Sequence, residues 1–270
     1  MLPAGTFAGM VVVVTGGGTG LGKAIGVEFA RLGAAVAVVS RDAGHGTAGV
    51  SAMEGVGGTA IAVRADVRDA ESVANAFATV EEELGPVAVL VNNAAGNFTA
   101  RAETMSANAW RSVTGIVLDG TFFCSTEFAR RRIEAGEGGA VLNIGATYSW
   151  TGGPGTAHSA AAKAGVTNLT QSLAVEWAPH GIRVNCLAPG LFPHDDLPPR
   201  LRRGRTEADD ARRVPAGRVG RPHELGWAAT YLCSPYAAYL SGHTLVLDGA
   251  NWLRRGLRMP EFTPLDEQVD

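Results

Sequence analysis

A run of mostly β-branched residues, Met10-Val11-Val12-Val13-Val14, breaks at once into Thr15-Gly16-Gly17-Gly18-Thr19-Gly20-Leu21-Gly22, and an amphipathic stretch then runs to Gly33. This order of strand, glycine turn and helix constrains the chain more than any other feature. Glycines let the backbone turn tightly and approach a ligand closely, and the first turn of the helix beyond offers free N–H groups and a positive dipole end to an anion. A glycine motif alone is equally a structural turn. Between a strand and a helix it specifies a pyrophosphate site for a dinucleotide, with Gly16, Thr19, Gly20, Leu21 and Gly22 as its contacts.

The pattern continues along the chain. Short apolar runs at 34–40, 59–67, 87–91, 140–144, 182–188 and 243–249 are interleaved with helix-like stretches at 69–83, 107–134, 156–178 and 221–233. With 270 residues, 46% of them hydrophobic, the chain can bury one large core. The expectation is a single-domain α/β fold over 1–270, a doubly wound parallel sheet of about seven strands with helices on both faces. Cys124, Cys186 and Cys233 are widely spaced and form no CxxC or Cys/His cluster, which argues against a disulfide framework or a zinc site and suits a reducing cytoplasm. No stretch reaches the roughly 18 apolar residues of a membrane span, and no basic-then-apolar leader is seen. A net charge of −3 gives no broad electrostatic case for nucleic acid, although arginines cluster between 200 and 221.

Open α/β sheets bind ligands at the C-terminal edges of their strands, so residues there are the candidates. The second run ends in Ser40-Arg41, where an NAD site usually offers an acid to the ribose hydroxyls. Arginine pairs with a 2′-phosphate instead, so NADP(H) is the expected cofactor, and Asp42 is not that acid. The third run leads into Asp66-Val67, with Asp69 better placed than Asp66 to cap the helix that follows. The fourth leads into Asn92-Asn93-Ala94-Ala95-Gly96-Asn97-Phe98, where asparagines and small residues can join neighbouring strands and leave room for a flat ring. There Asn97 can offer an amide donor to a substrate oxygen. The sixth leads into Pro189-Gly190-Leu191-Phe192, and residues 191–213 then turn polar, rich in proline and arginine, as a mobile segment over the site would. Within 143–163, Lys163 stands one helical turn after Ser159, which puts both on one face, and Tyr148 lies eleven residues before Ser159.

Taken together, TGGGTGLG, Asp66-Val67, NNAAG, Lys163 and Pro189-Gly190 resemble the short-chain dehydrogenase/reductase family over about 10–250. The resemblance implies a single Rossmann-like domain, a nicotinamide cofactor and homodimers or homotetramers built on the two long helices. Ordinary members carry a tyrosine four residues before the lysine, a serine thirteen before that tyrosine, and an asparagine in the preceding long helix. Here those positions hold Ser159, Ala146 and Val117. Alanine and valine have no proton to give, and a serine hydroxyl has too high a pKa to replace a phenol as acid without a base beside it.

The departure is similar to the mitochondrial-type 2,4-dienoyl-CoA reductase branch of that family. The shared run is TGGGTGLGK at 15–23, Ser40-Arg41, Asp66-Val67-Arg68, NNAAGNF at 92–98 and Tyr148, with Ser159 and Lys163 in step. That resemblance implies NADPH-dependent reduction of a 2,4-dienoyl-CoA to a 3-enoyl-CoA. It implies that Asn97 and Tyr148 donate to the thioester oxygen, that Lys163 binds the nicotinamide ribose, and that Ser159 fixes the nicotinamide or the Lys163 network. Phe98, Ser106 and Tyr148 would contact the acyl thioester, and Arg68 and Arg200 would lie near the CoA phosphates. Peroxisomal trans-2-enoyl-CoA reductases share AHS-x-AA-[KR]-AGV and are the rival enzymes, beside other short-chain ketone or alcohol oxidoreductases. A catalytically silent NADP-binding redox sensor is the non-enzymatic rival.

Overall fold

The computed structural model describes residues 2–194, 196 and 206–253. Seven strands, β1 (Val11–Thr15), β2 (Ala35–Ser40), β3 (Thr59–Arg64), β4 (Val87–Asn92), β5 (Gly139–Ile144), β6 (Ile182–Pro189) and β7 (Thr244–Leu247), form one sheet in the order 3-2-1-4-5-6-7. Every pairing is parallel. The helices are α1 (Gly20–Arg31), α2 (Ala43–Glu54), α3 (Ala70–Leu84), α4 (Ala107–Thr114), α5 (Gly120–Glu134), α6 (Tyr148–Thr151), α7 (Ala157–Trp177), α8 (Glu207–Ala211) and α9 (Pro222–Cys233). This is the expected Rossmann-like doubly wound sheet.

Strand side chains alternate between faces, so a strand covered on both sides must be apolar at every position. In β1, Val12 and Val14 pack with Ile25 and Phe29 of α1, Met53 of α2 and Leu225 of α9. Val11 and Val13 pack on the opposite face with Val73 and Phe77 of α3, Phe128 of α5 and Trp177 of α7. Each such side chain contributes about 1.5–3 kcal/mol on burial. A buried polar network crosses the middle of the second face. Asn92 Nδ2 donates to Ser125 Oγ at 2.8 Å and to Asn143 Oδ1 at 2.9 Å, and Asn143 Nδ2 donates to Thr170 Oγ1 at 2.9 Å. It ties β4 and β5 to α5 and α7 directly beneath the strand ends.

Two elements depart most from expectation. β3 stops at Arg64 rather than 67, because the Asp66 N–H turns to Ser72 Oγ and the Arg68 N–H to Asp66 Oδ1. Asp69, as expected, caps α3 by accepting from the Glu71 N–H. The single helix expected over 107–134 is instead α4 and α5 joined by a π-helical turn, Gly115–Asp119. Gly120 closes that turn because a Cβ there would stand 2.7 Å from a Val67 methyl. Between β1 and β4 the strand order reverses, which opens the crevice where such sheets bind ligands. Among the described residues no helix is long and apolar enough to cross a membrane, and no group of side chains could hold a metal ion.

Candidate active site

A cleft of about 730 Å³ runs along the C-terminal strand edges and contains most of the residues that the sequence puts there. Gly16, Thr19, Gly20 and Leu21 line its phosphate end, Ser40, Arg41 and Val67 its ribose end, and Asn93, Ala94, Ala95, Tyr148, Lys163, Pro189 and Gly190 the remainder. Gly16 and Gly20 take left-handed φ values of 63° and 52°, and a Cβ on Gly22 would collide with Asn93 Nδ2 and Gly16 O. Asn93 fastens this turn to β4. Its Nδ2 donates to the carbonyls of Thr15 and Gly16 at 3.0 and 3.1 Å, while Thr15 Oγ1 accepts from the N–H groups of Asn93 and Ala94.

At the start of α1, Thr19 makes no side-chain cap bond. The free helix end is met instead by Asp196, whose Oδ2 accepts from the Gly20 N–H at 2.7 Å and lies 2.8 Å from Lys23 Nζ. Burial pushes the Asp196 carboxyl up, but Lys23 and the Gly20 N–H outweigh it and hold the group below the usual carboxylate range. A carboxylate thus binds this helix end as an anion would, so the residues fit an anionic pyrophosphate. His194 sits beside it, with its ring 2.9 Å from where a Gly20 Cβ would stand.

At the ribose end Asp42 lines the cleft but spends its carboxylate on the α2 cap, accepting from the His45 N–H at 2.9 Å. Asp66 is gripped by Arg68 through Nε at 3.0 Å and NH2 at 2.5 Å, and Arg41 stands 3.9 Å away. The Arg68 guanidinium is the main cause of an Asp66 carboxyl held below its ordinary value. Arg68, expected near the CoA phosphates, is therefore turned back onto Asp66, and neither side chain lines the cleft.

At the end of the cleft expected to be catalytic, the Tyr148 hydroxyl lies 3.0 Å from Ser159 Oγ. Tyr148 stands at the start of α6, and Ser159 is buried in the first turn of α7. Lys163, one turn further on, is buried with Nζ donating to the Ile144 carbonyl. Burial pushes its ammonium down to about 8, with Cys186 opposing weakly, and burial pushes the Cys186 thiol up to about 11. Ala146 lines the cleft where ordinary members place serine, and Val117 is buried in the π-helical turn with Val113, Ala162 and Val166.

Several expected contacts stand apart from the cleft. Asn97 is exposed, with Oδ1 accepting from the Phe98 N–H at 2.9 Å, which leaves its amide NH2 to donate. Phe98 packs against His158 with ring centroids 4.5 Å apart and planes tilted by 57°, and Ala100 N–H donates to Gly155 O, folding this loop over the start of α7. Ser106 caps α4 by accepting from the Ala109 N–H at 3.1 Å. Gly22 and Gly96 stand behind the lining, and Leu191 and Phe192 border a separate cavity of about 80 Å³ with Val219 and Gly220. Arg200 lies outside the described residues.

The sequence reading passed over His45, Ile116 and His194, which line the cleft, and over His158, which is fully buried with neither ring nitrogen bonded. Asp196, the carboxylate on the phosphate turn, was also missed. Only His158, beside Ser159 in the site helix, carried a local signal.

The enoyl-(acyl carrier protein) reductase profile matches residues 16–250. A probable 2,4-dienoyl-CoA reductase of Bacillus subtilis, described as (2E)-enoyl-CoA-producing, is 39% identical over 90% of this chain and 96% of its own. A probable 2,4-dienoyl-CoA reductase of Caenorhabditis elegans, described as (3E)-enoyl-CoA-producing, is 37% identical over 96% of this chain and 85% of its own. The crystal structure of a short-chain dehydrogenase from Bacillus anthracis superposes with a TM-score of 0.83 at 40% identity, over 92% of this chain and 98% of that one. The chain belongs to the short-chain dehydrogenase/reductase family of oxidoreductases, whose fold binds a nicotinamide cofactor.

Proposed function

We propose that the protein reduces 2,4-dienoyl-CoA thioesters with NADPH, giving 3-enoyl-CoA. One observation carries this reading: a phenol, Tyr148, stands in the cleft 3.0 Å from Ser159, the residue that replaces the usual tyrosine, with Lys163 one turn beyond. The relatives named as dienoyl-CoA reductases support the substrate class. Ser40 and Arg41 at the end of β2 support the phosphorylated cofactor.

The cofactor, when bound, supplies the hydride, and the protein's task is charge. Hydride addition at the δ-carbon sends negative charge to the thioester oxygen, so donors must already be fixed where that oxygen will lie. Tyr148 is the first donor and the Asn97 amide the second. Ser159 holds the phenol in place from behind. Lys163 binds the ribose hydroxyls and lends positive potential that makes the phenol a better donor.

Among the described residues lining this end of the cleft, the ionisable side chains Tyr148 and Lys163 are already assigned to the oxyanion and the ribose, so in this reading solvent supplies the proton. A dienolate takes a proton fastest at its α-carbon, which gives the 3-enoyl product. Protonation at the γ-carbon would give the 2-enoyl product, and the relatives' descriptions include both outcomes. In the same reading Phe98 and Ser106 approach the acyl thioester, Arg200 the CoA phosphates, and the chain works as a homo-oligomer.

The test follows NADPH oxidation with 2,4-dienoyl-, 2-enoyl- and 3-ketoacyl-CoA in parallel and locates the double bond in the product. Preference for the dienoyl substrate with a 3-enoyl product is expected. Equal turnover on all three, or preference for the 2-enoyl substrate, defeats the reading, and tight NADPH binding with no turnover favours the redox sensor.

A further inference from the structure

A single helical turn does not hold its own place. α6 has four residues, and Thr147 at its N-cap makes no side-chain cap bond; isolated helices so short are unstable in water. Contacts on its two sides must therefore fix it. On one side Tyr148 reaches Ser159 of α7. Two residues on, Trp150 projects from roughly the opposite side of the turn, since each residue advances the helix by about 100°. It packs against Trp252 with ring centroids 5.5 Å apart and planes tilted by 36°.

Trp252 belongs to a short 3₁₀ turn, Asn251–Leu253, held by its own N–H donating to Asp248 Oδ2 at 2.6 Å. Asp248 follows the end of β7 and lies against Gly190, whose added Cβ would collide with it, so the turn is braced on the cleft wall. Both indoles keep much of their surface open, 45% for Trp150 and 37% for Trp252. Neither lines the cleft. The pair thus forms a strut from the end of β7 to the back of the helix that carries the phenol.

We propose that Trp252, acting through Trp150, is a positioning residue that holds Tyr148 at hydrogen-bonding distance from Ser159. The inference rests on reading Tyr148 as the donor to the thioester oxygen and deepens that assignment. A donor fixed before the reaction stabilises developing charge without reorganising, and small misplacements of such a group are costly.

The test labels the full chain with 3-fluorotyrosine. Its four tyrosines give four fluorine resonances, and the Tyr148 line is the one missing from Tyr148→Phe. Tyr231, Tyr236 and Tyr239, on α9 and beyond it, report on the rest of the fold. Trp252→Leu should shift or broaden the Tyr148 line alone and lower kcat on 2,4-dienoyl-CoA by about tenfold to a hundredfold, with KM for NADPH within about twofold. Trp252→Phe, which keeps a ring, should restore most of the rate. In a Tyr148→Phe background Trp252→Leu should cost less than about twofold, because the group it positions is gone.

A stationary Tyr148 line overturns the proposal, as does an equal loss in both backgrounds, or a raised acyl-CoA KM with unchanged kcat. If Trp252→Leu moves all four lines, Trp150→Leu breaks the pair from the other side and must move the Tyr148 line alone, or the proposal falls. If the wild-type protein reduces no dienoyl-CoA the substrate assignment fails, and the fluorine lines still decide whether Trp252 positions Tyr148.

Discussion

Tyr148 and Lys163 reach the same cleft with opposite electrostatic problems. The phenol is half-buried and bonded to a neutral hydroxyl, so it can donate without first losing a charge partner. Replacing it with phenylalanine removes one donor to the developing oxyanion, and such losses run to about 10²–10³ in kcat. Tyr148→Phe should show that loss in single-turnover reduction while NADPH affinity, followed by cofactor fluorescence, stays within about twofold. An unchanged rate would remove Tyr148 from the chemistry. Lys163 is charged and buried, and its pKa falls from 10.5 to about 8. Below about pH 8 the folded protein bears the full cost of that buried charge. Between 8 and 10.5 the unfolded chain binds the extra proton, so this group makes stability rise with pH, by about 3 kcal/mol in total. If Lys163 binds the ribose as proposed, that contact needs the ammonium, so kcat/KM for NADPH, which reports the free enzyme, should fall as pH rises through about 8. Denaturant melts and rate profiles against pH should therefore move in opposite directions, and Lys163→Met should flatten both. A rate limb that persists in Lys163→Met belongs to another group.

The first turn of α1 gathers an uncapped helix end, a lysine and a borrowed carboxylate, and its parts differ in how visible they were beforehand. The turn was legible because strand, glycines and helix are consecutive, and Asn93 because it directly follows the neighbouring strand. Asp196 was not legible, since 176 residues separate it from Gly20 and no local pattern marks that contact. The π-helical turn at Gly115–Asp119 was missed for a related reason: the sequence there continues a helix, and no local pattern marks the change in backbone hydrogen-bond register. The strut from Trp252 to Trp150 and the bonds from Asn92 and Asn143 to Ser125 and Thr170 likewise exist only after the sheet is assembled. If the pyrophosphate takes this helix end, the carboxylate must give way to it, so Asp196→Asn, which keeps the size and removes the charge, should tighten NADPH binding by about fivefold. That figure corresponds to the roughly 1 kcal/mol carried by a helix-end contact and an exposed ion pair together. Lys23→Met should weaken binding instead. Fluorescence titration of NADPH checks both, and weaker binding by Asp196→Asn would mean that the carboxylate assists the cofactor rather than standing in its place.

Across the molecule the cleft joins two halves of the sheet that share only the β1–β4 pairing at the reversal of strand order. Residues at the ends of β1 and β2 line one half of the cleft, which the proposed function gives to the phosphates and ribose, and residues at the ends of β4, β5 and β6 line the half it gives to the chemistry. A ligand lying along the cleft touches both halves and is lost on unfolding, so its binding free energy adds directly to stability. At a cofactor concentration one hundred times Kd the gain is about 2.7 kcal/mol. For a domain of this size that corresponds to a rise in Tm of about 5–10 °C. If Arg41 reads the 2′-phosphate, NADPH should raise Tm more than NADH at equal concentration, because its guanidinium pairs with a group that NADH lacks. Arg41→Ala should then erase the difference between the two cofactors and leave the NADH shift almost untouched, since the glycine turn and Lys163 remain. Thermal melts of both proteins with each cofactor measure this. Equal shifts in the wild-type protein would show that Arg41 is a surface charge and that cofactor choice is made elsewhere along the cleft.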